Sequence, residues 1–258
     1  MRPALLLTAV LFALPLASAA AGRYEEPREL QADATGVTRM QIDAGAGFLD
    51  VRGDDRAAAI TVTATLWVED HPRDTEKVRA AIERNIDFRL ETDGDSARLV
   101  ALTSDPGLGY SLPHMDLKVT VPAHFALDIR DRSGWLKVEH IADNVEIRDG
   151  SGSITLDDIG GHVAIEDDSG SIGVTRLAGR LGIEDGSGSV EIEDVAGDVA
   201  VDDGSGSIAI RDVQGNVTIR DGSGSILVAG VGQDLHVLES GSGSVSFIDV
   251  NGSITVDD

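Results

Sequence analysis

No cysteine occurs among the 258 residues, only nine side chains are aromatic, and 21 basic residues face 45 acidic ones. Without cysteine the chain has no disulfide, no thiolate metal ligand, no thiol nucleophile and no lipidated N-terminal cysteine. Few aromatic rings leave little for stacking sugars or bases. A formal charge of -24 lacks the cationic face that phosphate backbones and anionic bilayers require, so nucleic acid is not an expected partner. Past the N-terminus no apolar run approaches the roughly 20 residues of a membrane span. Stability therefore has to come from burial and hydrogen bonding.

The N-terminus reads as an export signal. Arg2 is basic, Ala4 to Ala17 are apolar apart from small polar interruptions, and Ala17-Ser18-Ala19 supplies small residues for cleavage. The expectation is a signal peptide over residues 1–19 and a periplasmic or secreted mature chain from Ala20 with a charge of -25. No stable membrane insertion is expected after cleavage.

All seven prolines lie at or before Pro122, whereas 22 of the 30 glycines lie from Gly134 onward. This break separates an N-terminal region, 20–122, from a repeat region, 123–258. In the latter one phrase returns: Asp131-Arg-Ser-Gly, Asp149-Gly-Ser-Gly, Asp167-Asp-Ser-Gly, Asp185-Gly-Ser-Gly, Asp203-Gly-Ser-Gly, Asp221-Gly-Ser-Gly and Ser240-Gly-Ser-Gly, spaced by 18 residues five times and 19 once. A fixed short period signals a stacked repeat.

Counted from the opening Asp, apolar residues fall at positions 6, 8, 11, 15 and 17, as in Ile208, Ile210, Val213, Val217 and Ile219. The pairs 6/8 and 15/17 alternate with polar residues at period two, the mark of a strand with one buried face. Glycine at position 4 of all seven repeats, and often at position 13, places two turns per repeat. Such a unit cannot shield its apolar face alone; identical units stacked in register can.

The predicted fold is all-β: a parallel β-solenoid of about seven 18-residue, two-strand rungs, about 34 Å long at strand spacing, after a strand-rich N-terminal cap region with one short helix. An antiparallel meander is the alternative, because Asp-Gly also starts hairpins. In the N-terminal region strands are expected at 39–42, 48–52, 60–68, 88–91, 98–103 and 117–121. The helix is expected from Thr75 to about Asn85, with Asp74 as N-cap and Val78, Ala81, Ile82 and Ile86 as its apolar stripe. Residues 104–113 read as a loop.

The helix before Leu90-Glu-Thr-Asp-Gly-Asp95, the segment Leu117-Lys-Val-Thr-Val-Pro122 and the Ser-Gly-Ser-Ile rungs together resemble the DUF4097 family of bacterial candidate adhesins, β-strand repeat proteins. The resemblance covers nearly all of the mature chain. It implies an extracytoplasmic β-solenoid and supplies no catalytic residue.

Stacking aligns Asp131, Asp149, Asp167, Asp185, Asp203 and Asp221 in a column about 4.8 Å apart, each pair repelling by roughly 0.9 kcal/mol even in bulk water. Turn N–H groups or bound calcium would offset this; the nonapeptide calcium pattern is absent. Asp158, Asp194, Asp212 and Asp249 fall near the other corner. Carboxylate pairs such as Glu191/Glu193 and Asp157/Asp158 follow from acidic composition, and His140, His162 and His236 share no register. The serines sit in solenoid corners, not in a nucleophile elbow. Trp135 and Phe247 are the aromatics of the first and last rungs, and Leu227, Ile248 and Val250 form a small apolar set near the C-terminal end.

No catalytic, cofactor-binding or metal-binding residue is assigned. The expected function is an exported, non-enzymatic structural or interaction module of the cell envelope, adhesin-like, whose partner is a protein or envelope surface component. A calcium-dependent surface-binding module and a polysaccharide-active β-helix enzyme are the alternatives. The last rung is expected to support end-to-end association of copies.

Overall fold

The computed structural model describes residues 18–20, 23–69, 75–104 and 113–257. Of the signal peptide expected at 1–19, residues 1–17 lie outside them, as do the N-cap expected at Asp74 and most of the 104–113 loop. The chain divides into two compact units at Gly134/Trp135.

The first unit contains β1 (Ser18–Ala20), β2 (Arg23–Asp33), β3 (Arg39–Ala44), β4 (Ala46–Asp54), β5 (Ala59–Glu69), α1 (Thr75–Asn85), β6 (Ile86–Asp93), β7 (Ser96–Thr103), β8 (His114–Pro122) and β9 (Ala126–Asp131). Strand order is β1-β2-β5-β8-β4 in one sheet and β9-β3-β7-β6 in the other. Pairing is mixed: β2, β5 and β8 run antiparallel, while β4 is parallel to β8 and β3 is parallel to both β7 and β9. Alternation buries one face, giving a core that includes Met40, Leu66, Leu99 and the fully buried Phe125. Of the stripe expected for α1, Val78, Ala81 and Ile82 are buried, whereas Ile86 opens β6. The helix is tied down by Glu83 Oε1, which accepts from buried Arg28 Nη2 at 2.6 Å.

The second unit is the solenoid. One strand of each rung, β10 (Ser133–Ile141), β12 (Gly152–Ile159), β14 (Gly170–Leu177), β16 (Gly188–Val195), β18 (Gly206–Val213), β20 (Ser223–Val231) and β22 (Ser242–Val250), belongs to one sheet. The other, β11 (Val145–Asp149), β13 (Val163–Asp167), β15 (Leu181–Asp185), β17 (Val199–Asp203), β19 (Val217–Asp221), β21 (Leu235–Glu239) and β23 (Ile254–Val256), belongs to the second. Every pairing from β11/β13 to β20/β22 is parallel, and equivalent positions stack: Ile154 on Ile172, Val190, Ile208 and Ile226. Position 6 thus sits on position 6, as the period requires, and the meander is not formed.

Inward Ile, Val and Leu of six rungs are no more than 3% exposed. Each such side chain contributes about 1.5–3 kcal/mol on burial. Close approach of the coils explains the glycine at position 4. At Gly188, φ is +147° and a Cβ would lie 1.5 Å from the carbonyl oxygen of Gly170. The 19-residue spacing is absorbed by a register shift between Ile219 and Arg220 opposite β21, leaving Leu238 39% exposed.

Candidate functional site

Three sets of side chains recur along the solenoid with enough regularity to be sites. The first is the opening Asp. Asp149, Asp167, Asp185, Asp203 and Asp221 are each at most 6% exposed. Oδ1 of Asp167, Asp185, Asp203 and Asp221 accepts the N–H of the serine two residues on, at 3.0–3.3 Å; Asp149 takes Gly150 N–H at 2.8 Å. This is turn capping by the Asx mechanism. The partner oxygen, Oδ2, is buried in all five and meets no donor. Burial therefore raises the pKa of every member. Burial, then neighbouring Asp167, lifts Asp149 to about 6, and burial, then Asp185 and Asp221, lifts Asp203 to about 6. Asp167, Asp185 and Asp221 move the same way from the same main cause. Asp131 is buried too, and its Oδ1 accepts Arg132 N–H at 2.9 Å.

A second column, at position 14, has no counterpart in the sequence reading. Oδ1 of Asn144 accepts the N–H of His162 on the next rung at 2.7 Å, and Nδ1 of His162 accepts that of Arg180 at 3.0 Å. Asp198 repeats this toward Asn216 at 2.8 Å, Asn216 toward Asp234 at 3.2 Å and Asp234 toward Ser253 at 2.7 Å. Each side chain stitches one turn to the next. The shared property is a short acceptor, which Asn, Asp and a neutral imidazole all provide. Identity varies, so no repeat motif marks it.

The corner acids expected at position 10 have a backbone role. Asp158, Asp194, Asp212 and Asp249 adopt φ of 55–60°, as do His140 at 58° and Arg176 at 54°. Gly230 fills the same place at 72°. Asp is among the residues that tolerate this left-handed region. The carboxylate pairs separate in role as well: Glu191 pairs with Arg211 at 2.9 Å, Asp158 with His140 Nδ1 at 2.6 Å, and Asp157 with Arg176. Among the described residues no group of three or more His, Asp or Glu could hold a metal ion.

The third set faces outward from the sheet of β11 to β21. Its middle column runs Glu146, Ala164, Gly182, Ala200, Thr218 and His236, small through the central four rungs. Position 18, with Glu166, Glu184, Asp202 and Arg220, rises on one side; position 14, with Arg180, Asp198, Asn216 and Asp234, rises on the other. The result is a pair of shallow grooves along the stack, about 300 Å³ and about 410 Å³. Arg220 contacts Asp202 at 3.2 Å and Arg148 contacts Glu166 at 3.2 Å, each pair joining neighbouring rungs of the position-18 wall.

Of the apolar set near the C-terminal end, Leu227 and Ile248 face outward, 41% and 58% exposed. Val250 instead stacks on buried Val231 and belongs to an inward column. Trp135 is 42% exposed.

In-register parallel rungs, glycine-packed corners and aspartate-capped turns define a two-sheet β-solenoid repeat protein. The Toastrack DUF4097 family profile matches residues 37–257. The chain belongs to that family. No functionally curated protein matches it. Solved structures similar to it include a candidate cell adhesion protein from Clostridium sporogenes, 12% identical over 90% of this chain and 99% of that one, TM-score 0.25. A candidate lipid-binding protein from Parabacteroides distasonis is 14% identical over 89% and 96%, TM-score 0.34. A candidate adhesin from Bacteroides fragilis is 14% identical over 88% and 95%, TM-score 0.24. At TM-scores this low the fold assignment rests on the strand register of the chain itself.

Proposed function

We propose that the protein is a non-enzymatic structural or interaction module of the cell envelope, exported by its N-terminal signal, with the outward face of the β11–β21 sheet as its contact surface. One observation carries this reading: recurrent residues hold the turns and stitch the rungs, while the four small residues Ala164, Gly182, Ala200 and Thr218 open a track between mostly charged walls. A track of this kind suits an extended chain or a flat surface patch laid along the stack, as in other repeat arrays with elongated binding faces.

The test has two arms. Fractionation of bacteria expressing the full chain, with sequencing of the mature N-terminus, should find the protein outside the cytoplasm and cleaved near Ala19/Ala20. Binding to isolated envelope fragments should fall about tenfold or more when the track is filled by Ala200→Arg. Cytoplasmic retention, or envelope binding indifferent to that change, would overturn the reading.

A further inference from the structure

The two grooves of the outward face differ in charge. The one of about 300 Å³, on the position-18 side, is lined by four acids, Glu146, Glu166, Glu184 and Asp202, and by one base, Arg220. Ion pairs within the wall cancel only part of this. Arg220 is held by Asp202 at 3.2 Å, and Arg148 serves two carboxylates, Glu146 and Glu166. Glu184 stands in register between Glu166 and Asp202, exposed, and makes no ion pair among the described residues. Two of the four negative charges in the groove are thus left unmatched. The groove of about 410 Å³ across the floor column holds Arg180 with Asp198 and Asp234, and the Arg180 charge acts on Asp198, so cations are drawn less strongly there.

The position-18 wall also ends on an apolar side chain. The register shift between Ile219 and Arg220 pushes Leu238 outward, 39% exposed, into the lining of the same groove. Between Glu184 and Leu238 the floor is small, and beside Glu184 it is open: a Cβ at Gly182 would meet nothing within 4 Å. Unmatched acid on one stretch and an exposed leucine at the far end define a cation-seeking groove with an apolar foot.

We infer that this groove takes an extended basic segment of a partner protein, laid along the stack with cationic side chains on Glu166 and Glu184 and an apolar side chain on Leu238. This rests on the outward face being the contact surface and adds the chemistry of what lies on it. From Glu166 to Leu238 the wall climbs four rungs, about 19 Å, which an extended chain rising about 3.4 Å per residue covers in about seven residues. Alternate side chains of that chain point into the groove, so basic residues at its first and third positions reach the acids and an apolar one at its seventh reaches Leu238. Opposite charge guides such a segment in and turns away an acidic one.

The probe is a fluorescein-labelled peptide of seven residues with lysine at its first and third positions, leucine at its seventh and glycine or serine elsewhere. Anisotropy with the full chain at low salt should show binding that weakens as salt rises, and no binding of the counterpart with glutamate for both lysines. Glu184→Lys should weaken binding about tenfold or more and Leu238→Asn about threefold or more. Glu193→Lys makes the same charge change on the outward face of the other sheet and should leave binding within about twofold. Equal binding of the two peptides, indifference to Glu184→Lys, an equal loss in Glu193→Lys, or spermine bound as tightly as the basic peptide overturns the inference. So does failure of the basic peptide to bind. If envelope fragments nonetheless lose binding on Ala200→Arg, the contact surface stands and only its basic partner falls; envelope binding indifferent to Ala200→Arg removes the surface and the partner together.

Discussion

Asp198 Oδ1 accepts two bonds from Asn216 on the next rung, from its backbone N–H at 2.8 Å and from Nδ2 at 3.0 Å. Five residues on, Asp203 Oδ1 takes Ser205 N–H at 3.1 Å within its own turn, and its Oδ2 is sealed from water without a donor. The two carboxylates respond oppositely. The Asn216 bonds hold Asp198 below the usual carboxylate range, and burial pushes Asp203 up to about 6. Asp198 gains from ionisation, and the buried column to which Asp203 belongs is stressed by it.

Stability should therefore rise as the solution is acidified from about pH 7.5 to about pH 5. Acids whose folded value is raised bind protons more readily folded than unfolded. Their ionisation cost is fully present above pH 6 or so and is relieved as pH falls toward the unfolded value. Asp198, shifted down, loses its contribution only below about pH 4. Thermal melts should move up by several degrees over that interval. A midpoint that is flat or falls on acidification would show that the column is not strained.

Asp203→Asn keeps the oxygen that accepts Ser205 N–H and supplies an amide donor toward the neighbouring carboxylates. It should raise stability near pH 7 by about 1 kcal/mol and flatten the pH dependence. Denaturant unfolding of the variant at two pH values checks both. A loss of stability would mean that the carboxylate has a role the turn does not reveal.

Corner geometry makes opposite forecasts at two positions. Gly188→Ala drives a methyl to 1.5 Å from the Gly170 carbonyl oxygen and should cost about 4 kcal/mol or more, read as loss of cooperative unfolding. Asp194→Gly relieves a φ of +58° at an exposed corner and should gain about 0.5–1 kcal/mol in the same assay. Native Gly230 already occupies that place in another rung.

Melts in calcium and in excess chelator at matched ionic strength should coincide, because the Oδ1 atoms of the aspartate column are committed to turn N–H groups. A shift upward in calcium alone would make the column a metal site.

The solenoid is readable in the sequence because one 18-residue period fixes turn, strand and inward face together, and stacking of equal positions follows. The first unit has no such repetition. Strand β2 is hidden in the string Arg23 to Asp33, where charges and Pro27 obscure the alternation of Tyr24, Leu30 and Ala32. Arg28 is buried there because Glu26 of the same strand and Glu83 of α1 pair with it, and the second pair crosses elements in a way that no local pattern records. Tyr24, pushed up to about 12 by burial and its bond to Glu26, belongs to the same knot. In the repeats the aspartate column was legible as a column but not as an interior one. The position-14 stitch escaped because His162, Asp198 and Asn216 share an acceptor, not a residue type.

Uniform register also makes the array a ruler. Gain or loss of one 18-residue unit keeps every inward residue facing inward and changes length by about 4.8 Å, one strand spacing. A unit one residue longer has to eject the surplus, as the 19-residue interval does at Leu238. In-frame duplication or deletion of a rung in the gene therefore adjusts reach in fixed steps, leaving the outward groove the same width at every length.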